Sequence, residues 1–411
     1  MKQMDLVQAV RQIRLLRSKS YFQEVSQMIL VADHHMVQAP APRAPWLSDC
    51  GPDQELGVEL LQEWSGCMGK SFRCAACRRY APHWRHPYRH CSPHYRRSYR
   101  RAYYGWLMNI DPTSFRPALS IVASPKKRTA ILELASEAQR RGFSGLACPS
   151  LGGTLGLCAS LAHTTQTIAY WTSIQPIYYS HPVETANIAA HIHEISDGRF
   201  RLGLGVSHGP VVQRLGVTTG KPLADISSYV AAMRENERFG GALPPIYLAT
   251  LRDKMLKLAA DISDGAIWAN ASLSHMNTQL ATLPSDKRDS LFFANMIPTV
   301  IDEDRKAADA IHRRTLTGYV SLPNYRNYWR AAGYNEEIDA IETALDAGDR
   351  DALPQLMSDD WLHDCTLSGS AHQVRDGLLA WAQTGVTPIA VMSSTTGGQV
   401  KAINELFSLY E

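Results

Sequence analysis

From Pro117 onward the chain alternates short apolar or β-branched runs with longer amphipathic segments, the rhythm of successive β-α units around a parallel sheet. Eight runs read as strands: Leu119 to Ala123, Gly145 to Cys148, Ile168 to Ile174, Arg199 to Val206, Ile246 to Thr250, Gly265 to Asn270, Leu291 to Ile297 and Pro388 to Ser393. Between them Ile131, Leu134, Ala135 and Ala138 recur at i, i+3, i+4 and i+7, as do Met255, Leu258, Ala259 and Ile262, giving each helix one apolar stripe. Gly142, Gly198, Gly265 and Gly385 stand where helices should stop, each able to take the left-handed conformation that turns the chain into the next strand. Eight such units predict an α/β fold, a (β/α)8 TIM barrel, over residues 116–411. The seventh connection is much longer than the others, and its YVSLPNYRNYWRAAGY stretch is aromatic and helical in pattern. It reads equally as a lid or pocket wall and as an outer helical layer.

Residues 1–115 have another texture. A helix fits Leu6 to Ile29 through Val10, Ile13 and Leu16, and Pro40, Pro42 and Pro45 then break the pattern. From Arg73 to Arg101, RCAACRRYAPHWRHPYRHCSPHYRRSYRR mixes Arg, His, Tyr and Pro with no period and almost no aliphatic residues, so it cannot build a core. These 115 residues carry sixteen basic and nine acidic side chains, against 26 and 30 in the remainder, which hides an asymmetry inside the net charge of +3. Cys74, Cys77, His90 and Cys91 contain one C-x-x-C pair, but the second pair is adjacent, which argues against a zinc finger, and no metal is expected. Interleaved Arg, Tyr and Trp suit phosphate contacts and base stacking, yet a disordered basic extension is the favoured reading and nucleic acid is not an expected partner.

With 45% hydrophobic and 20% charged residues, the chain as a whole is globular in composition, which excludes overall disorder. No apolar run approaches the roughly 18 residues that cross a bilayer, and no signal-peptide pattern opens the chain, so a cytoplasmic protein is expected. The eight cysteines show no disulfide framework. A homodimer is compatible with these features.

In a (β/α)8 barrel, chemistry sits at the C-terminal ends of the strands. The loop RLGLGVSHGPVVQRLGV is the most informative: Gly203 and Gly205 leave little bulk near a strand end, and Ser207, His208 and Gly209 form a polar turn able to hold an anion such as a phosphate. A G-x-G on a strand also fits plain tight packing at a barrel wall. In order, IAYWTSIQPIYYSHPVETANIAAHIHEISDGRFRLGLGVSHGPVV, PPIYLATLRDKMLKLAADISDGAIW and SGSAHQVRDGLLAWAQTGVTPIAVM resemble the luciferase-like oxidoreductase superfamily, and within it the coenzyme F-420-dependent branch. The resemblance runs from near Leu119 almost to the C-terminus. It rests on the SHP turn, the DGRF turn, the GLG-x-SH-x-PVV loop and the A-x-x-x-x-KM-x-x-LA segment occurring together.

That resemblance implies a redox enzyme holding F-420, or alternatively FMN, at the barrel mouth and moving a hydride to or from a small organic substrate. It implies a non-prolyl cis peptide at Ser173–Ile174 backing the cofactor ring. It places the cofactor phosphate near Gly205, Ser207, His208 and Gly209 together with Thr250, Leu251 and Arg252. Trp171, Tyr178, His181 and Trp268 are candidate walls of the substrate pocket; His181 fits a helix cap equally well, and the three aromatics fit core.

Three departures matter. Arg252 and Asp253 replace Gly and Pro of the commoner A-x-x-GPKM pattern, Ala147 to Gly153 offers no general acid after the second strand, and the insertion before the fifth strand is short. An FMN-dependent monooxygenase and a catalytically impaired cofactor-binding barrel are the alternatives, and no catalytic residue is assigned. Cys148 is read as a structural thiol.

Overall fold

The computed structural model describes residues 114–151 and 153–411, so the basic extension, its helix and its cysteine grouping lie outside the described residues. Eight parallel staves form a closed ring: β1 (Ala118–Ser120), β2 (Gly145–Cys148), β3 (Tyr170–Thr172) continued by β4 (Gln175–Pro176), β5 (Phe200–Gly205), β6 (Ile246–Ala249), β7 (Gly265–Ala269), β8 (Phe292–Ile301) and β10 (Thr387–Ser393). β10 pairs with both β8 and β1, which closes the barrel. Every expected strand is present. Unforeseen is β9 (Leu367–Gly369), which pairs with the last residues of β8 outside the ring.

Alternation along each strand separates two cores. Leu119, Leu146, Leu202, Leu204 and Leu248 point outward into the layer shared with the helices. Ala118, Ala147, Trp171, Tyr247, Phe292 and Ile389 fill the barrel interior. The outer layer is completed by helical stripes such as Ile131, Leu134, Ala135 and Ala138 of α1 (Arg128–Arg140), where each large side chain contributes about 1.5–3 kcal/mol by leaving water.

Around the ring follow α2 (Thr154–Thr164), α3 (Pro182–Ile195), α4 (Gly209–Leu215), α5 (Pro222–Gly240), α6 (Asp253–Ile262), α7 (Leu273–Leu280) and the short α8 (Ser285–Arg288). α9 (Arg305–Val320), α10 (Pro323–Ala331), α11 (Asn335–Asp346) and α12 (Asp359–Cys365) make the long insertion after β8, and α13 (Ala371–Gln383) and α14 (Gln399–Ser408) end the chain.

Gly142, Gly198 and Gly385 have φ of +75°, +74° and +81°, the left-handed stop expected of them. Gly265 does otherwise. It opens β7 without a positive φ, and a Cβ there would stand 2.4 Å from the Phe292 carbonyl oxygen, so close strand packing beneath the Tyr247–Phe292 stack requires the glycine. Among the described residues no helix is long and apolar enough to cross a membrane.

Candidate active site at the barrel mouth

The end of β3 lies across the inner face of β5. Thr172 Oγ1 donates to the Gly203 carbonyl at 2.7 Å, and the Ser173–Ile174 peptide is cis. A Cβ on Gly203 would meet the Thr172 carbonyl at 2.0 Å, and one on Gly205 would stand 2.9 Å from Ile174 Cδ1 and from Ala249 Cβ. The G-x-G is therefore a packing requirement, and what it permits is the seating of Ile174 beside the mouth.

Beside Ile174, over Gly205, stands Ala249; it and Ala269 are half-buried at the ends of β6 and β7. Ser120 faces inward two residues after Ala118, and its hydroxyl and that of Ser173 are buried with no hydrogen-bond partner. Buried polar groups are normally paired, so two orphaned hydroxyls at one mouth suit a polar ligand.

Pairing of β5 with β6 brings the two expected anion turns side by side. Ser207 sits at φ +61°, Gly209 opens α4, and Thr250, Leu251 and Arg252 lead into α6. The second turn is pinned from behind, because Gln279 Nε2 donates to the Leu251 carbonyl at 2.7 Å. His208 departs from its expected role. Its ring centre lies 5.8 Å from that of Tyr325 and 6.3 Å from that of Tyr319, and burial lowers its pKa, so the imidazole is a neutral member of an aromatic cluster. The polar groups this leaves in the loop are the backbone amides and the Ser207 hydroxyl.

The four expected pocket residues separate. Tyr178 is at a cavity: it lines two adjoining grooves of about 420 and 330 Å³, the second of which includes Val206, Ser207 and Gly209 and so reaches the mouth. Its Oη donates to Asp225 Oδ2 at 2.6 Å, and burial followed by that carboxylate raises its pKa. His181 instead caps α3, its exposed ring accepting from the Val183 amide at 3.3 Å through Nδ1. Trp268 is fully buried in the outer layer, where Nε1 donates to Gln279 Oε1 at 3.1 Å, because alternation along β7 points it away from the interior. Trp171 does point inward, but it lies edge-on to Phe292 in the interior layer, 3% exposed, and lines neither of these grooves. Cys148 is buried against α2, whose Cys158 thiol is pushed up by burial and by Cys148, as befits structural thiols.

One reading that the sequence left open is decided by the structure, and one feature escaped the sequence. The insertion belongs to the mouth: Trp329 Nε1 donates to the Asn270 carbonyl at the end of β7, the Ser272 amide donates to Tyr328 Oη, and Tyr319 and Tyr325 reach across to His208. The aromatic spacing of Tyr325, Tyr328 and Trp329 was its only signal. Asp302, just past β8, accepts from Thr395 Oγ1 and the Asp304 amide; the Thr395 bond first, then the amide, hold its carboxyl below the usual range. Among the described residues no group of three or more His, Cys, Asp or Glu could hold a metal.

The family described as luciferase-like monooxygenase matches residues 113–388, about two thirds of the chain. The chain belongs to this luciferase-like family. A 5,10-methylenetetrahydromethanopterin reductase of Archaeoglobus fulgidus is 26% identical over 278 residues, covering 59% of this chain and 82% of the relative. Among solved structures, the coenzyme F-420-dependent tetrahydromethanopterin reductase of Methanopyrus kandleri has a TM-score of 0.57 at 18% identity, covering 71% of this chain and 96% of that one. An F-420-dependent secondary alcohol dehydrogenase bound to an F-420–acetone adduct has a TM-score of 0.54 at 14% identity, covering 72% of this chain and all of that one. At such identities the structures show the shared barrel. In this luciferase-like protein Pro149 and Ser150 follow β2 with no acid, and five residues join α5 to β6.

Proposed function

We propose that this luciferase-like protein is a coenzyme F-420-dependent oxidoreductase acting on a small organic substrate, in the cytoplasm. The observation that carries the reading is the small-residue strand ends at the mouth, where Gly205 and Ala249 seat Ile174 and the Ser120 and Ser173 hydroxyls are buried without partners. The kinship with reductases and with F-420-dependent folds supports the deazaflavin over other ring systems. Bound there, the deazaflavin would supply hydride transfer.

The chain's own part is positioning. Ile174 would back the ring, Ser120 and Ser173 would donate to its polar edge, and the turns at Ser207–Gly209 and Thr250–Arg252 would hold the phosphate through amides, hydroxyls and the Arg252 charge. The aromatic insertion would shut water out on the β5 and β7 sides. Asp302, kept ionised, can accept a hydrogen bond but not donate a proton at neutral pH.

A second reading, an FMN-dependent monooxygenase, is favoured by the description of the family itself. Separate titrations of the purified chain with F-420 and with FMN, followed by cofactor fluorescence, discriminate. Saturable F-420 binding with weak or absent FMN binding is expected; tight FMN binding without F-420 binding would reverse the assignment. Binding of F-420 with no turnover across carbonyl, alcohol and imine substrates would instead mark a barrel that has lost catalysis, consistent with the acid-free second strand.

A further inference from the structure

The two grooves that meet at Tyr178 and Gly220 hold one charged side chain among their lining residues, Asp225. Its Oδ2 is occupied, accepting from Tyr178 Oη at 2.6 Å and from the Gly220 amide at 2.8 Å. Its Oδ1 accepts no hydrogen bond and lies beside the Gly220 backbone, where a Cβ would stand 2.4 Å from that oxygen. The larger groove is otherwise neutral. Ile177, Pro182 and Ala232 are apolar, and the Tyr229 hydroxyl is already engaged with Thr185 Oγ1 and the Ser180 carbonyl. Lys221, the nearest cation in sequence, is exposed and does not line either groove.

A carboxylate lining a groove, with one oxygen free of hydrogen bonds, tyrosine and aliphatic walls and no lining cation, is complementary to a cationic donor and repels anions. We propose that this groove is a binding subsite for a protonated amine carried on a short apolar stem, with Asp225 Oδ1 as its acceptor. The adjoining groove runs to Val206, Ser207 and Gly209, the turn that would hold the cofactor phosphate, so an amine at Asp225 would lie beside that anion. That continuation rests on the oxidoreductase reading; amine binding itself does not. The anionic tail of a cofactor is excluded from this groove by the same charge.

The test uses the full chain without cofactor and three probes of equal length, hexylamine, hexan-1-ol and hexanoate, titrated by ligand-observed NMR at neutral pH. Hexylamine should bind about three- to fivefold more tightly than hexan-1-ol, the scale of one half-exposed charge pair, and hexanoate more weakly than either. Asp225→Asn preserves shape and hydrogen bonding to Tyr178 and Gly220 and should erase the preference. Ala232→Lys, on the half-exposed wall of α5, should weaken hexylamine and strengthen hexanoate without disturbing the loop. Equal affinities for the three probes, or a preference that survives Asp225→Asn, overturns the subsite. F-420 binding measured on the same samples keeps the two ideas apart: its absence refutes the oxidoreductase reading and leaves the amine subsite standing on its own result.

Discussion

At the scale of single residues, two glycines illustrate how identical chemistry serves different ends. Gly142 supplies a backbone conformation, whereas Gly205 supplies the absence of a side chain against Ile174 and Ala249. The sequence shows a glycine in both cases and distinguishes neither. Gly205→Val should therefore force Ile174 out of place, at a cost of about 1–3 kcal/mol of overpacking. It should also weaken F-420 binding by more than tenfold while far-UV circular dichroism stays native. Unchanged cofactor affinity in a folded variant would separate Ile174 from the cofactor site. Trp171 and Trp268 make the complementary point, since both are aromatic residues on predicted strands and only the direction of each side chain decides between interior, outer layer and pocket.

Among elements, the insertion after β8 is held by a buried seam in which α9 meets β9 and α12. Asp309 accepts from Ser368 Oγ at 2.6 Å and from His363 Nε2 at 3.0 Å, while His312 Nε2 bonds the Leu367 carbonyl at 3.0 Å. Burial pushes the His312 pKa down to about 4 from its ordinary 6.5. Burial alone would raise the Asp309 carboxyl, but the bonds from Ser368 and His363 outweigh it and the net shift is downward.

The signs agree. Below pH 6.5 the unfolded chain takes up a proton at His312 that the folded chain refuses until about pH 4, so stability falls as pH drops across that window. The loss amounts to about 3 kcal/mol by its lower end. Asp309 adds a further loss at lower pH, as its carboxyl is protonated. Denaturant unfolding at several pH values should show this slope, and His312→Gln should flatten it between pH 6.5 and 4; parallel slopes in the two proteins would exclude His312 as the source. Because α9 and α10 also carry Tyr319 and Tyr325 to His208, loosening this seam should open the mouth as well.

For the whole molecule, closure is the decisive fact. β1 joins β10 within the described residues, and the family match begins at residue 113, just before β1. A chain lacking residues 1–112 is accordingly expected to unfold cooperatively and to bind F-420 as the full chain does. Loss of binding by a truncated protein with native circular dichroism would assign the extension a part in the site.

The eight strands, the helices between them and the order of motifs were legible because hydrophobic periodicity and helix stops are local properties, written within ten or twenty residues. That the turns after β5 and β6 lie side by side was legible too, since strand adjacency in a barrel follows from chain order. What only the tertiary structure decided was everything that depends on distant partners. Examples are the turning of His208 toward Tyr319 and Tyr325, the position of the insertion over the mouth, and the capture of Asp225 by Tyr178 and Gly220. Each joins residues that no local pattern relates, because side-chain direction and cavity shape arise from how the ring closes and not from any one segment of it.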